Sequence, residues 1–357
     1  MGWYDGDWTY RAKITSQNGK VTGTQSNFPV YVSLAEFGTG HGIWSNVDSA
    51  GADIRITQSD GETLVPREIV AIDTTAKTGE VHFEANSLSS SSDTDFYVYY
   101  GNGSATEPSA SDANGKYNVW DANFMGVYHL EEAAESVVSS TSQQVNEYDP
   151  SASTATSVTG ILDGGKALDF NGSTNTIIFQ TGVDTYLSPT SALQFELWFN
   201  ADAKGSDVLL YCRGDSTTKG YGFWFWNSNL RAQIGSSGWS NLTYALSSIS
   251  LNTDYHIVGN WDGSTYRLYV NGSQVDSGAY SGSQTYSSSQ MTIGTRASGD
   301  DFDGHIDELR IHDTARSASW IATQYNNQSD PATFWVIGAE EEDTPAGATF
   351  IPKMQII

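Results

Sequence analysis

Cysteine is nearly missing from this chain of 357 residues: Cys212 stands alone, so no internal disulfide can form. A lone thiol reads as a small buried apolar side chain, because nucleophilic catalysis needs a histidine and an orienting group beside it. Basic residues are scarce too. Lys and Arg number 17 against 42 Asp and Glu, for a net charge of −25 and a pI near 4.3. A chain this acidic repels phosphate backbones, which argues against nucleic acid as a partner. No apolar run approaches the roughly 20 residues of a membrane span. The start, MGWYDGDWTYR, lacks a basic n-region and an apolar h-region. With Met1 directly before the first domain, the expectation is either a leader already removed or export by another route, such as assembly into a virus particle released by lysis. Amphipathic helical heptads are absent as well.

What is present is turn-rich and aromatic: 35 Gly, 19 Tyr and 11 Trp, with only 17% charged residues. Short runs of Val, Ile, Tyr, Phe and Trp alternate with polar residues and are punctuated by Gly, Asn and Asp. The pattern predicts an all-β protein of two β-sandwich domains. Residues 1–102 hold the first set of strands, with Asn18-Gly19 as a hairpin signal and Asp60-Gly61 as a turn. The Ser/Ala/Gly/Asn-rich stretch 103–119 reads as a linker. Residues 120–340 hold a second set at the spacing of a sandwich, with hairpins at Asp262-Gly263 and Asn271-Gly272. Within it, the polar stretch 132–160 reads as a long surface loop. Ser317 is a candidate N-cap for a short helix, and TFWVIGAEEE a final strand. Residues 341–357 form an acidic tail ending in an apolar patch that is expected to dock on a partner.

Several stretches in the second region carry a resemblance. VYHLEE, GKALDFNGSTNTI, LQFELWFNA, NWDGSTYRLYVNG and FDGHIDELRIHDTARSASWIATQYNN resemble, in order and spacing, a concanavalin A-like, laminin-G-type jelly roll over about 120–340. WTYRAKITS, DIRIT and FYVYYGN resemble a DUF2341-like β domain over about 8–102. The resemblance implies two antiparallel sheets packed face to face, a role in binding glycans or proteins, and often a structural calcium ion. Such domains occur in secreted bacterial enzymes, adhesins and virion proteins.

Three groups of residues are candidates for chemistry. In HIDELRI, strict alternation puts Asp307 on one face with Leu309 and Ile311, and Glu308 on the other with Arg310. An inward carboxylate needs a partner. The resemblance implies a calcium site in which Asp307 is joined by Asn171, Gly172 and Glu131. The alternative is that backbone N–H groups or neighbours such as Arg310 satisfy it. In YGFWFWNSN, Tyr221, Phe223 and Phe225 share one face and Trp224 and Trp226 the other. One set is core, and the other lies on a solvent-facing sheet or under the neighbouring domain. Exposed Trp224 and Trp226, joined by Trp239, would stack on sugar rings; plain sandwich packing is the alternative. The acidic stretch 298–304 lacks the spacing of an EF-hand loop and reads as a solvated turn.

No catalytic set is visible. A strand with paired carboxylates on one face is absent, and alternation separates Asp307 from Glu308. The six histidines show no His-Glu-x-x-His or clustered zinc spacing, so His41, His129 and His305 read as structural or solvated. The expectation is a non-enzymatic binding protein of a virion or cell surface, exposed to the exterior and homo-oligomeric. Its partners would be a glycan or surface polysaccharide and other virion or surface-layer proteins. The phage setting would be head decoration or a tail fibre. The competing readings are a purely architectural capsid or filament protein, and an accessory module of a secreted polysaccharide-processing protein.

Overall fold

The computed structural model describes residues 2–131, 140–141, 150–162, 164–179, 187–212, 219–236, 238–286, 291–296 and 299–343. The chain is nearly all β. In the N-terminal part lie β1 (Tyr10–Ser16), β2 (Gln25–Ser33), β3 (Arg55–Thr57), β4 (Leu64–Val65), β5 (Arg67–Asp73), β6 (Thr78–Leu88) and β7 (Thr94–Tyr100). Period-2 alternation sorts their side chains. Ala12 and Ile14, then Phe28, Val30 and Val32, then Val81, Phe83 and Ala85, then Phe96 and Val98 fill one core. The residues between them on β2 and β6, Tyr31, Glu80 and His82, are just as buried. They face the second sandwich.

That sandwich contains β8 (Phe124–Tyr128), β9 (Pro150–Ser153), β10 (Thr156–Thr159), β11 (Lys166–Asn171), β12 (Ile177–Phe179), β13 (Leu193–Ala201), β14 (Val208–Cys212), β15 (Gly220–Trp226), β16 (Asn229–Gly235) and β17 (Trp239–Ala245). It continues with β18 (Asp254–Trp261), β19 (Thr265–Val270), β20 (Ser273–Ala279), β21 (Met291–Ile293) and β22 (Asp303–His312). One sheet has the order β10-β11-β22-β13-β18-β19-β20, with β8 also on β22; the other runs β17-β16-β15-β14-β21-β12-β9. The aromatic and aliphatic core between them includes Phe195, Phe199, Phe223, Phe225, Ile306, Leu309 and Ile311. The hairpin at Asn271-Gly272 forms as expected, with φ of 49° and 73° at its two central residues. Cys212 is buried in this core. Within the described residues, the expected 132–160 loop contributes β9 and β10 instead of remaining irregular.

Three further expectations change. Asn18-Gly19 makes no hairpin: it lies in a short 3-10 turn, and β1 and β2 belong to different sheets. The 103–119 stretch is no loose linker. Arg67 clamps Glu107 with both guanidinium nitrogens, Arg55 donates to Thr106 O at 2.8 Å, and Trp120 enters the N-terminal core. Third, the chain end crosses back. Beyond the one-turn helix α1 (Ile43–Asn46) of the N-terminal part, helices α2 (Ala318–Ser329) and α3 (Pro331–Phe334) lead into β23 (Trp335–Glu342), which pairs antiparallel with β1 from Tyr10↔Glu342 to Ser16↔Trp335. The final strand expected inside the 120–340 jelly roll therefore completes the N-terminal sheet. Residues 344–357 of the expected docking tail lie outside the described residues. Among the described residues, no helix is long and apolar enough to cross a membrane.

Helix α2 closes the outer face of the β22–β13–β18 sheet. Ser317 caps it by accepting from Trp320 N at 3.1 Å, as the sequence predicts. Asn327 reads β2, accepting from Tyr31 N at 2.7 Å and donating to Tyr31 O at 2.8 Å. Gln324 donates to Glu196 at 2.7 Å, and Tyr325 stacks on Trp198. His256 lies on the same face, 1% exposed. Burial pushes its imidazole from 6.5 down to about 4, against the pull of Glu196. The unfolded chain takes up this proton first, so the unfolding free energy falls as pH drops from 6.5 toward 4. His256 contributes roughly 3 kcal/mol to that loss. Urea unfolding between pH 7 and 4 is expected to show a shallower acid limb for His256→Gln than for the wild type; identical limbs would contradict a buried neutral imidazole.

Candidate functional site

The three tryptophans singled out from the sequence come together. Alternation along β15 sends Tyr221, Phe223 and Phe225 into the core and Trp224 and Trp226 to the outer face of the β17–β9 sheet. On that face Trp224 is opposite Arg231 of β16, and Gln233 is opposite Asn241 of β17. Trp239, at the start of β17, meets Trp224 edge-on with ring centroids 6.2 Å apart. Trp226 is 40% exposed at the rim. Arg296 covers Trp224 at 5.6 Å and pairs with Asp300, so this residue of the acidic stretch joins the wall of the cleft. The cleft has a volume of about 250 Å3, with Arg231, Gln233, Asn241, Asp207 and Asp300 as its polar lining. Nε of Arg231 is buried and has no hydrogen-bond partner among the described residues. Indole faces beside convergent amide, guanidinium and carboxylate groups suit a ligand that is apolar on its faces and hydroxylated at its edges.

A second assembly lies between the sandwiches, and the sequence reading missed it. Glu68 comes from β5, Glu80 and His82 from β6, His129 from the residues after β8, and Asp307, Glu308 and Arg310 from β22; all are buried. His82 Nε2 lies 2.8 Å from Glu80 Oε1. His129 Nδ1 meets Glu308 Oε1, and its Nε2 lies 3.4 Å from Glu68 Oε2. Glu68 also accepts from Trp120 Nε1 at 2.8 Å and Ser140 Oγ at 2.5 Å. Arg310 grips the other oxygen of Glu308 and stacks over Trp120 at 4.9 Å. A cleft of about 560 Å3, lined in part by Glu68, Lys116, His129, Glu131 and Lys166, opens beside the cluster.

The charges in it separate sharply. Burial alone would raise Glu308 and Glu68. The neighbouring His129 outweighs it, with Arg310 at Glu308 and Lys116 at Glu68, holding Glu308 well below the usual carboxylate range and Glu68 at about 2. Burial, reinforced by Glu308, pushes Glu80 and Asp307 well up. Burial lowers the His82 imidazole to about 3. The one local sequence sign of this cluster is the i, i+2 spacing of Glu80-x-His82, which puts that pair on one face of β6; His129 lies past the end of β8, with Leu130 at φ +61°, and carries no such sign.

A β-bulge explains why alternation misplaced Asp307. Along β13 the register steps from Glu196↔Arg310 to Trp198↔Asp307, and Glu308 takes φ +53°. The extra residue reverses the parity of the strand. Ile306, Leu309 and Ile311 reach the jelly-roll core, while Asp307 and Arg310 point to the N-terminal sandwich. Asp307 and Glu308 are therefore neighbours rather than separated. The Asp307 carboxylate accepts from Ile161 N at 2.9 Å and Leu162 N at 3.2 Å. Of the residues expected around it, Glu131 is close enough to raise it further and accepts from Lys166 N. Asn171 and Gly172 are elsewhere. Asn171 pairs with Asp303, which puts it roughly 13 Å along β22 from Asp307. Its side chain instead closes the turn to Thr174 at 2.9 Å, and Gly172 N donates to Phe302 O at 2.9 Å. The four expected calcium ligands do not share one site. His41 accepts from Ile43 N at 3.1 Å, and His305 lies 3.3 Å from Asp169.

Two packed sandwiches, with an aromatic cleft on an outer sheet face and an ionic seam between them, define the class as a two-domain β-sandwich protein. Residues 171–322 match the concanavalin A-like lectin/glucanases superfamily, and residues 50–141 match a domain of unknown function, DUF2341. Among solved structures, domain 4 of AbnA, a GH43 extracellular arabinanase from Geobacillus stearothermophilus in complex with arabinotriose, is similar over 58% of this chain and 100% of that one, at 20% identity and a TM-score of 0.46. The binding domain of Paraclostridial Mosquitocidal Protein 1 is similar over 57% of this chain and 52% of that one, at 16% identity and a TM-score of 0.45. For the botulinum neurotoxin serotype D binding domain the values are 58%, 52%, 11% and 0.46. The match spans about half the length of the two toxin domains. No curated protein matches the chain.

The contacts of Asp307 give a test of its role. Asp307→Asn keeps an acceptor for the two loop N–H groups and removes a carboxylate from beside Glu308, so its unfolding free energy is expected within about 1 kcal/mol of the wild type. Asp307→Ala strands both buried donors and is expected to cost about 1–3 kcal/mol more. Urea unfolding of the two variants measures this. An Asn variant as damaged as the Ala variant would show that the charge, not the acceptor, is required.

Proposed function

We propose that this chain is a non-catalytic, lectin-like surface protein that holds a glycan in the cleft of Trp224, Trp226 and Trp239. The observation that carries the reading is the gathering of these indoles, with Arg231, Gln233 and Asn241, on the outer face of one jelly-roll sheet. A sugar ring stacks its C–H face on an indole while its hydroxyls bond to amide and guanidinium groups. A cleft of about 250 Å3 is at the small end of ligand pockets, which commonly run about 300–1,000 Å3, and suits one sugar unit of a longer glycan crossing an open surface. The carboxylate of Asp300 is engaged by Arg296, which favours binding over acid catalysis. The acidic, turn-rich surface suits an exterior setting on a virion or a cell.

A glycan array followed by calorimetry on the best ligand tests this. Trp224→Ala and Trp239→Ala are each expected to weaken binding roughly tenfold or more, as aromatic anchors do. Their melting temperatures should stay near that of the wild type, because both side chains lie outside the core. Silence across a diverse array, or binding untouched by both substitutions, would sink the proposal.

A further inference from the structure

The seam between the sandwiches contains a donor set that glycan binding does not use. We propose that Glu80, His82, His129 and Glu308 form a site for a divalent transition-metal ion, zinc by its donors, that ties the N-terminal sandwich to the jelly roll. One ligand atom from each of the four lies within 4.8 Å of all the others. A tetrahedral zinc ion with bonds of about 2.0–2.2 Å sets its ligand atoms roughly 3.3–3.6 Å apart. The separations of 2.8 Å between Glu80 and His82 and 3.7 Å between Glu80 and His129 bracket that spacing. Two imidazoles with two carboxylates are a borderline donor set suited to zinc rather than to calcium, which takes oxygen alone.

Three further observations point the same way. The first is orientation. A metal-bound imidazole commonly gives its other ring N–H to a carboxylate. With Nδ1 of His129 facing Glu80 and Glu308, its Nε2 faces Glu68, which Trp120 and Ser140 fix in turn. Arg310 likewise holds the oxygen of Glu308 that faces away from His129. The second is charge. Glu68, Glu80, Asp307 and Glu308 are buried against Arg310 and His129, with Lys116 3.9 Å from Glu68 at the edge, so carboxylates outnumber cations in the seam. The third is a buried imidazole short of a partner. His82 is 0% exposed; its Nε2 faces Glu80 at 2.8 Å, and its Nδ1 has no hydrogen-bond partner among the described residues.

The backbone supports the placement as well. Glu308 sits at φ +53°, a left-handed conformation that is unfavourable for a non-glycine residue and persists only where its surroundings fix it. The bulge there turns Glu308 toward His129. The cleft beside Glu68 and His129 supplies an entry path.

Metal analysis of the full chain, stripped with chelator and dialysed against Zn2+, is expected to find about one bound equivalent. Co2+ in its place should give the visible absorption bands of a tetrahedral site, and chelator should lower the melting temperature by several degrees. His82→Ala should lose the zinc and the cobalt bands. His305→Ala, which breaks the more exposed Asp169–Asp202–His305 group, should keep both. The cobalt spectrum of the wild type needs no variant, so a misfolded His82→Ala leaves the test intact. A wild type with no bound zinc and no cobalt bands overturns the proposal. So does metal that is kept in folded His82→Ala and lost in His305→Ala.

Discussion

Between β6 and β22 the protein buries carboxylates from both sandwiches against His129 and Arg310, and the packing of one sandwich on the other depends on satisfying that charge. Taking such groups out of water costs several kcal/mol per ion, which is recovered only when each has a well-placed partner. Here the partners come from different parts of the chain. Glu68 and Glu80 belong to the N-terminal sandwich, while His129, Glu308 and Arg310 belong to the jelly roll. Neither sandwich can present its share to solvent-free surroundings without the other. The seam thus fixes how the two pack, in a way that an apolar contact, being non-directional, would not.

The backbone is shaped to serve that seam. Along one edge, β22 pairs with β11 over Asp303–Ile306 and with β8 over Leu309–His312. The bulge at Glu308 falls where one partner gives way to the other. It lets Leu309 and Ile311 stay in the core while Asp307, Glu308 and Arg310 all serve the interface. Chain connectivity then locks the arrangement. The stretch after residue 102 is pinned by Arg55 and Arg67, and β23 returns to pair with β1. Both ends of the jelly roll are therefore anchored in the N-terminal sandwich, which removes the freedom that a flexible tether would allow.

The two jelly-roll sheets divide their labour as a result. The outer face of β13 and β22 is covered by α2 and by β2 and β6, so these strands are buried on both faces and carry polar side chains that must all be paired. The outer face of β15, β16 and β17 has no such cover among the described residues, and its burial alternates. The proposed glycan contact is assigned to that face because it is the one left open. The tryptophan cleft is the part of it where apolar and polar groups converge.

Much of this was legible in the residues themselves. Alternation in YGFWFWNSN separated Phe223 and Phe225 from Trp224 and Trp226, and Asn271-Gly272 announced its hairpin, because both depend on neighbours along one strand or across one turn. The order of strands in FDGHIDELRI and its companions carried the jelly-roll likeness. What depends on distant contacts was not legible. Asn18-Gly19 has the chemistry of a hairpin, but its flanking strands are claimed by different sheets. TFWVIGAEEE reads as a strand without saying that β1 is its partner. The bulge at Glu308 leaves no mark in the local pattern, because partner exchange along β22, not propensity, creates it. His82 and His129 lie far apart in sequence, and each looks like a lone structural histidine. The sequence by itself determined the strands, most turns and the aromatic face of the cleft; only the tertiary structure decided which way Asp307 points and which buried charges meet, since both follow from the pairing of strands distant along the chain.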